Sequence, residues 1–249
     1  MNENLGSAPG QRAGDVASDR ISVAFQPIID VETRTVYSYE TLLRGSGGES
    51  AGALLESVSA DRIHRFDEAC RDNAIRMAAR LGIECRINLN FLPNCVFASE
   101  QLIDASLESA RQAGFPLERI ILEVTEGEAI EDGPRFARLV NAYRRHGLML
   151  AIDDFGAGYA GLNLLADFQP DLVKLDMSLV RGVDTNGPRQ AIVRGIRQVC
   201  IDLGIDVIAE GVETRPEYEW FAEHGVRLFQ GYLFARPGFE CLPVVTFPD

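Results

Sequence analysis

The chain has no apolar run approaching the roughly 20 residues that a membrane span needs. Its first 20 residues, MNENLGSAPGQRAGDVASDR, lack both the apolar core of a secretory signal and the amphipathic Arg-rich pattern of a transit peptide. Residues 1–20 therefore read as a disordered leader, and the remainder, 21–249, as a single cytoplasmic domain without a membrane span. Cysteine is sparse: five residues (Cys70, Cys85, Cys95, Cys200 and Cys241), odd in number, scattered and without a CxxC pair. That argues against a disulfide or zinc framework and for reduced thiols in the core. The three histidines, His64, His146 and His224, fall in or beside helical patterns and away from cysteine, which gives them structural or surface roles. Positive charge is also short, with 24 Lys and Arg against 37 Asp and Glu, a net charge of −13. Such a surface repels a polyanion, so broad DNA binding is excluded. A small phosphate-bearing ligand held through metal ions is not.

What is present is an ordinary globular composition, 46% hydrophobic, at a length close to the roughly 250 residues of a single α/β barrel. Short β-rich runs alternate with helical patterns. The strands are expected at 22–30, 36–43, 85–91, 120–126, 148–154, 172–177, 206–212 and 227–234. Helical stretches are expected at 66–81, 99–114, 134–147, 188–204 and 215–225, several of them ending in glycine. Near-continuous apolar strands alternating with helices indicate a parallel sheet covered by helices, and eight strands suggest closure into a barrel. One link breaks the pattern. Only Val31-Glu32-Thr33-Arg34-Thr35 joins the first two strands, while a parallel crossover needs a dozen or more residues, so one strand must run antiparallel.

Strand after strand carries a polar residue towards its C-terminal end: Glu40, Asn88, Glu123, Asp153 with Asp154, Lys174 with Asp176, Glu210 and Gln230. One acid at a strand end is commonly a helix cap. Carboxylates, amides and a lysine converging from seven strands lie where such barrels build their sites. Glu40, Glu123, Asp153, Asp154 and Glu210 would repel one another as bare anions, so the cluster implies bound cations. The donors are all oxygen, which selects Mg²⁺ or Mn²⁺ over zinc or copper. Two adjacent aspartates at the end of the apolar strand LMLAIDD suit a two-metal site, one carboxylate shared between both ions. In Tyr39-Glu40-Thr41-Leu42-Leu43-Arg44, alternation puts Glu40, Leu42 and Arg44 on one face and Thr41 on the other. Arg44 is then either a phosphate grip at the mouth or a plain surface arginine.

Together these residues resemble the EAL-domain family of cyclic-di-GMP phosphodiesterases, from about Val23 to Pro237. The signature ExLxR stands at Glu40 to Arg44, preceded by Phe25-Gln26-Pro27-Ile28. Asn88-Leu89-Asn90, Glu123-Val124-Thr125-Glu126, Asp153-Asp154-Phe155-Gly156, Lys174-Leu175-Asp176, Glu210-Gly211-Val212-Glu213 and Gln230-Gly231-Tyr232 follow in order. The resemblance implies a TIM-like (β/α)8 barrel with one antiparallel strand, and cleavage of cyclic di-GMP to linear pGpG. It implies Glu40, Asn88, Glu123 and Asp153 as ligands of one metal, and Asp153, Asp154 and Glu210 as ligands of a second. Lys174 matches the lysine that holds the nucleophilic water, and Glu126 the glutamate that anchors the loop after Asp153-Asp154. Catalytic roles thus fall on Lys174, Glu210, Asp154 and Glu126. Gln26, Leu42, Arg44, Gln230 and Pro237 match substrate contacts, with Asp176 and Glu213 at the outer edge. Ca²⁺ is expected to bind without supporting turnover. The resemblance also implies a homodimer packed through the region from Gly161 to Lys174, and it leaves room for a regulatory or sensor protein in trans, since the loop and the following helix look like EAL domains attached to BLUF photosensors.

The sequence departs from the family at Thr41, which replaces the naming alanine, at Asn90, which replaces a serine, and at Ala157, Ala160 and Gly161 in the loop. The competing reading is an inactive EAL barrel serving as a cyclic-di-GMP receptor or a protein-interaction scaffold; such domains usually lose a metal ligand or the lysine. An enolase-like lyase with Lys174 as base explains the acids but not the FQPI, ExLxR or QGY segments. A kinase reading of Asp-Phe-Gly fails for want of an HRD-type catalytic loop.

Overall fold

A computed structural model describes residues 21–93, 101–128, 130–158 and 161–248. The expected leader at 1–20, Cys95, the start of the helical stretch at 99–100, and Ala160 lie outside the described residues.

Among the described residues nine strands form one sheet: β1 Ile21–Asp30, β2 Thr35–Gly45, β3 Arg86–Asn90, β4 Ile120–Thr125, β5 Met149–Phe155, β6 Leu172–Leu175, β7 Asp206–Ala209, β8 Leu228–Phe229 and β9 Gly238–Phe239. β2 to β8 run parallel in chain order, and β1 pairs antiparallel with both β2 and β8, closing the barrel. The short link forces that reversal. The Asp30 carboxylate accepts the amides of Glu32 (3.0 Å) and Thr33 (3.2 Å) and so folds the hairpin turn. Its register sets Gln26 opposite Glu40. β9, which the sequence pattern did not announce, pairs with the outer part of β1.

Period-2 alternation then divides every strand between two environments. One parity faces the helices in the larger core: Ile87, Leu89, Leu122, Val124, Ile152, Val173, Leu175 and Phe229 pack with helical residues such as Ile75, Phe136, Leu165 and Phe221. The other parity fills the barrel with a separate apolar floor of Ile28, Ile121, Ala151, Leu172, Ile208 and Leu228. Two residues beyond four of these, in the chain direction, stand Glu123, Asp153, Lys174 and Glu210. The site therefore sits directly on the floor, at the carboxyl ends of the strands. No helix among the described residues is long and apolar enough to cross a membrane.

The helical stretches lie at Ile63–Arg80, Gln101–Ala113, Gly133–Arg144, Gly187–Leu203 and Arg215–Glu223, with shorter helices at Ala51–Glu56, Gly161–Phe168 and Met177–Val180. Asp132 and Asn186 cap two of them ahead of a proline, and Gly204 closes the carboxyl end of Gly187–Leu203 with a φ of 72°.

Three strands end two or more residues earlier than expected, for local reasons. β6 stops at Leu175 because the Asp176 carboxylate caps the helix that follows, accepting the Ser178 amide at 2.9 Å. β7 stops at Ala209 because Gly211 turns the chain with a φ of 65°. β8 stops at Phe229 because Gly231 passes so close to Val212 that a Cβ would lie 2.0 Å from its carbonyl oxygen. Of the cysteines expected in the core, Cys200 is buried and Cys70 and Cys85 are half-buried, but Cys241 is exposed. It lies beyond β9, in the irregular closing segment.

Candidate metal centre

The residues picked from the strand ends converge on one ammonium. Lys174 Nζ lies 2.7 Å from Glu210 Oε1, 2.9 Å from Glu123 Oε1, 3.0 Å from Asp153 Oδ1 and 3.5 Å from Glu40 Oε2. Lys174 is 1% exposed and Glu123 is equally buried. Burial opposes the lysine's charge, but Asp153, Glu123, Glu210 and Glu40 outweigh it and hold its pKa well above the usual value. Burial raises Glu123 and Glu210, since one lysine cannot compensate all their neighbours. Asp154 is also raised, first by burial and then by Asp153 and Asp176.

Two groups of three acids have oxygens within 4.8 Å of one another: Glu40, Glu123 and Asp153, and Asp153, Asp154 and Glu210. They share Asp153, as the metal-bridge reading requires. The donor set fits divalent ions on two further counts. Asn88 donates its amide to Glu123 Oε1 at 2.7 Å, which leaves Asn88 Oδ1 and Glu123 Oε2 buried with no hydrogen-bond partner. A buried acceptor without a donor is costly unless a cation meets it. Five carboxylates against one ammonium leave the cage four charges short of neutrality, the charge that two divalent ions carry.

The pair's backbone is shaped for this. Asp153 Oδ1 accepts the Asp154 amide at 2.9 Å, and Asp154 holds a φ of 53°, a left-handed conformation that aspartate tolerates better than most residues. The loop that follows has G-x-G-x-x-G spacing, and the anion its amides cradle is internal. Glu126, 4% exposed, accepts Gly156 N (2.7 Å) and Gly158 N (3.2 Å) on Oε2 and Gly161 N (2.9 Å) on Oε1. A side chain at Gly161 would strike the Phe155 ring at 2.7 Å.

The other candidates take varied places. Gln26 is buried and donates to Ala235 O (3.4 Å), tying β1 to the segment that carries Pro237 into β9. Gln230, expected at the substrate, donates to Glu40 Oε2 at 2.6 Å. Thr41 is buried on the opposite face of β2 from Glu40, as alternation required, and its hydroxyl donates to Asn88 O at 2.8 Å. With Phe66, Cys70 and Ala74 it lines a cavity of about 300 Å³ that Leu42, Leu43 and Arg44 also border. Arg44 is half-buried and donates to Leu43 O at 2.7 Å. Asp176 serves as a cap, and Glu213 pairs with Arg181 at the surface.

Sequence reasoning missed Glu217. It accepts the amides of Gly182 (2.9 Å), Thr214 (3.0 Å) and Glu213 (3.2 Å), and so holds the loop after Glu210 against the loop after Asp176. Burial alone would raise its pKa, but these donors hold it below the ordinary glutamate range. The signal was present as a capping box, Thr214-x-x-Glu217.

Fold and site together define a closed α/β barrel with an acidic centre at the carboxyl rim whose oxygen donors suit cations. The comparisons narrow the class. The sequence matches the EAL domain family over residues 11–237, and the chain belongs to that family. Among curated relatives it is 33% identical to the blue light- and temperature-regulated antirepressor BluF of Escherichia coli over 91% of this chain and 56% of that protein. The chain thus spans little more than half of that relative's length. A standalone versatile EAL protein from Vibrio cholerae, solved with c-di-GMP bound, superposes with a TM-score of 0.87 at 45% identity, covering 91% of this chain and 95% of that one. Klebsiella pneumoniae BlrP1, solved with manganese and cy-diGMP, gives 0.85 at 37%, covering 96% and 62%.

Proposed function

We propose that the chain hydrolyses one phosphodiester bond of cyclic di-GMP to give linear pGpG, using two Mg²⁺ or Mn²⁺ ions. The observation that carries this reading is the pair of acid triads sharing Asp153 around a buried lysine. Glu40, Asn88, Glu123 and Asp153 would hold one ion, and Asp153, Asp154 and Glu210 the other. Two such ions supply Lewis-acid polarisation of the phosphoester and acidify a water. Lys174, kept as ammonium, cannot act as a base; it donates a hydrogen bond to the attacking oxygen and orients it. Glu126 fixes the loop that carries Asp154. Arg44 turns from its own backbone to grip phosphate, and Gln26, Leu42, Gln230 and Pro237 line the nucleotide path, with Asp176 and Glu213 at its edge. Binding of cyclic di-GMP by the Vibrio and Klebsiella relatives supports the substrate, and manganese in the latter supports the ion.

A second reading, an inactive barrel acting as receptor or scaffold, is favoured by one observation: the relative BluF is described as an antirepressor. Against it, every candidate ligand and Lys174 are present. Exposed Leu162 (63%) and Met177 (49%) flank the loop and suit a two-fold homodimer, which light scattering would reveal. The deciding experiment is incubation with cyclic di-GMP and Mn²⁺ or Mg²⁺, followed by chromatography for pGpG. Ca²⁺ in their place should give binding without product. Full hydrolysis in excess EDTA would refute the two-ion mechanism, and binding without cleavage under every metal would favour the receptor.

A further inference from the structure

Lys174 is the single lysine of the chain; the other 23 of its 24 basic residues are arginine. It stands in an acidic cluster, with carboxylates from four separate strand ends within 3.5 Å of its nitrogen. All three acids of the first candidate triad, Glu40, Glu123 and Asp153, touch the ammonium, and Glu210 of the second triad is its nearest partner at 2.7 Å. An ammonium has three N–H donors, so it cannot serve all four acids fully at once. The carboxylates that would hold a divalent ion between Glu40, Glu123 and Asp153 are the same three that already hold this cation.

We infer that Lys174 is the resident cation of the centre, and that the first divalent ion binds by exchange, displacing the ammonium from Glu40, Glu123 and Asp153 towards Glu210. The inference rests on the two-cation reading of the site. The residue type fits the task. Lysine carries a compact point charge on a flexible four-carbon stem, able to neutralise a cage and then withdraw, whereas the rigid guanidinium fork of arginine, used at every other basic position, would fill the cage. Two consequences follow. The lysine keeps the carboxylate cluster folded before any ion arrives, and it weakens metal binding, because each ion entering must overcome a charge of its own sign. The exchange also leaves the ammonium beside the ions, where it can orient the attacking oxygen.

The single lysine makes the test direct. In protein labelled with ¹⁵N at lysine side chains, one ammonium resonance is expected, and titration with Ca²⁺ or Mg²⁺ alone should shift it in step with filling of the first site. Lys174→Met, with a stem of similar length and no charge, should melt at lower temperature than wild type in EDTA. It should also bind Ca²⁺ about tenfold more tightly by calorimetry, since the competing charge is gone. Should the variant fail to fold in EDTA, the resonance titration on the unaltered protein still decides. Ca²⁺ binding that leaves the lysine signal unmoved, or a variant whose Ca²⁺ affinity is unchanged or weaker, would overturn the exchange alone. Absence of metal binding to wild-type protein would overturn the two-cation reading beneath it. Neither outcome depends on whether cyclic di-GMP is cleaved.

Discussion

Replacing Glu126 by alanine tests how far the loop, rather than the ligands, controls the centre. The carboxylate holds three backbone amides, of Gly156, Gly158 and Gly161, at 2.7, 3.2 and 2.9 Å. At the lower end for hydrogen bonds to a charged acceptor, about 1.5 kcal/mol each, the three together contribute roughly 4–5 kcal/mol to the loop's position. Gly156 and Gly158 are exposed, so water can take over their amides, but Gly161 is buried and its amide would be orphaned. Roughly 2–3 kcal/mol should remain, which corresponds to about 30- to 150-fold in rate if the loop's geometry is felt in the transition state. Glutamine should rescue little, because its NH₂ would face an amide N–H in place of an oxygen. The assay is the initial rate of cyclic di-GMP hydrolysis across a Mn²⁺ titration, since a displaced Asp154 should weaken the second ion as well as slow the reaction. A Glu126→Ala enzyme within threefold of wild type at every Mn²⁺ concentration would refute the coupling of loop to centre.

Asp153→Asn should abolish measurable hydrolysis, because both acid triads lose their shared carboxylate, while Thr41→Ala should remove one buried hydrogen bond to Asn88 O, about 1 kcal/mol of stability, and leave kcat nearly intact; the reverse ranking in a kinetic comparison would show that the strand faces are assigned wrongly. Glu128 offers a test away from the centre: burial, and then the charge of Asp67, raise its pKa from 4.5 to about 7. A raised carboxylate costs stability that is absent below the unfolded value, grows between pH 4.5 and 7, and is complete above the folded value. Glu128→Gln should therefore stabilise the protein by about 1–2 kcal/mol at pH 8, after allowance for solvent screening, and leave it unchanged at pH 4. Equal melting shifts at both pH values would show that the carboxyl is not titrating as described.

Much of this protein is local in origin and can be read from the chain. The alternation of apolar strands with helical patterns gives the barrel, because a strand buried on both faces must be apolar throughout and each parallel return needs a helix. The brevity of Val31 to Thr35 gives the antiparallel strand, because a short link cannot carry a crossover. The polar residues at Glu40, Asn88, Glu123, Asp153, Lys174 and Glu210 interrupt apolar runs, and those interruptions are visible without a structure. What the tertiary structure decided is which of these groups meet. Two-residue periodicity assigns each side chain a face, but only the register between neighbouring strands brings four carboxylates to within 3.5 Å of Lys174, turns Gln230 onto Glu40, and aims Glu126 into a glycine loop some 30 residues further along the chain. The early ends of β6, β7 and β8 likewise depend on a cap, a turn and a close approach to Val212. Periodicity is fixed by bonds along the chain, whereas charge is balanced across the barrel, between residues whose separation only the closed sheet determines.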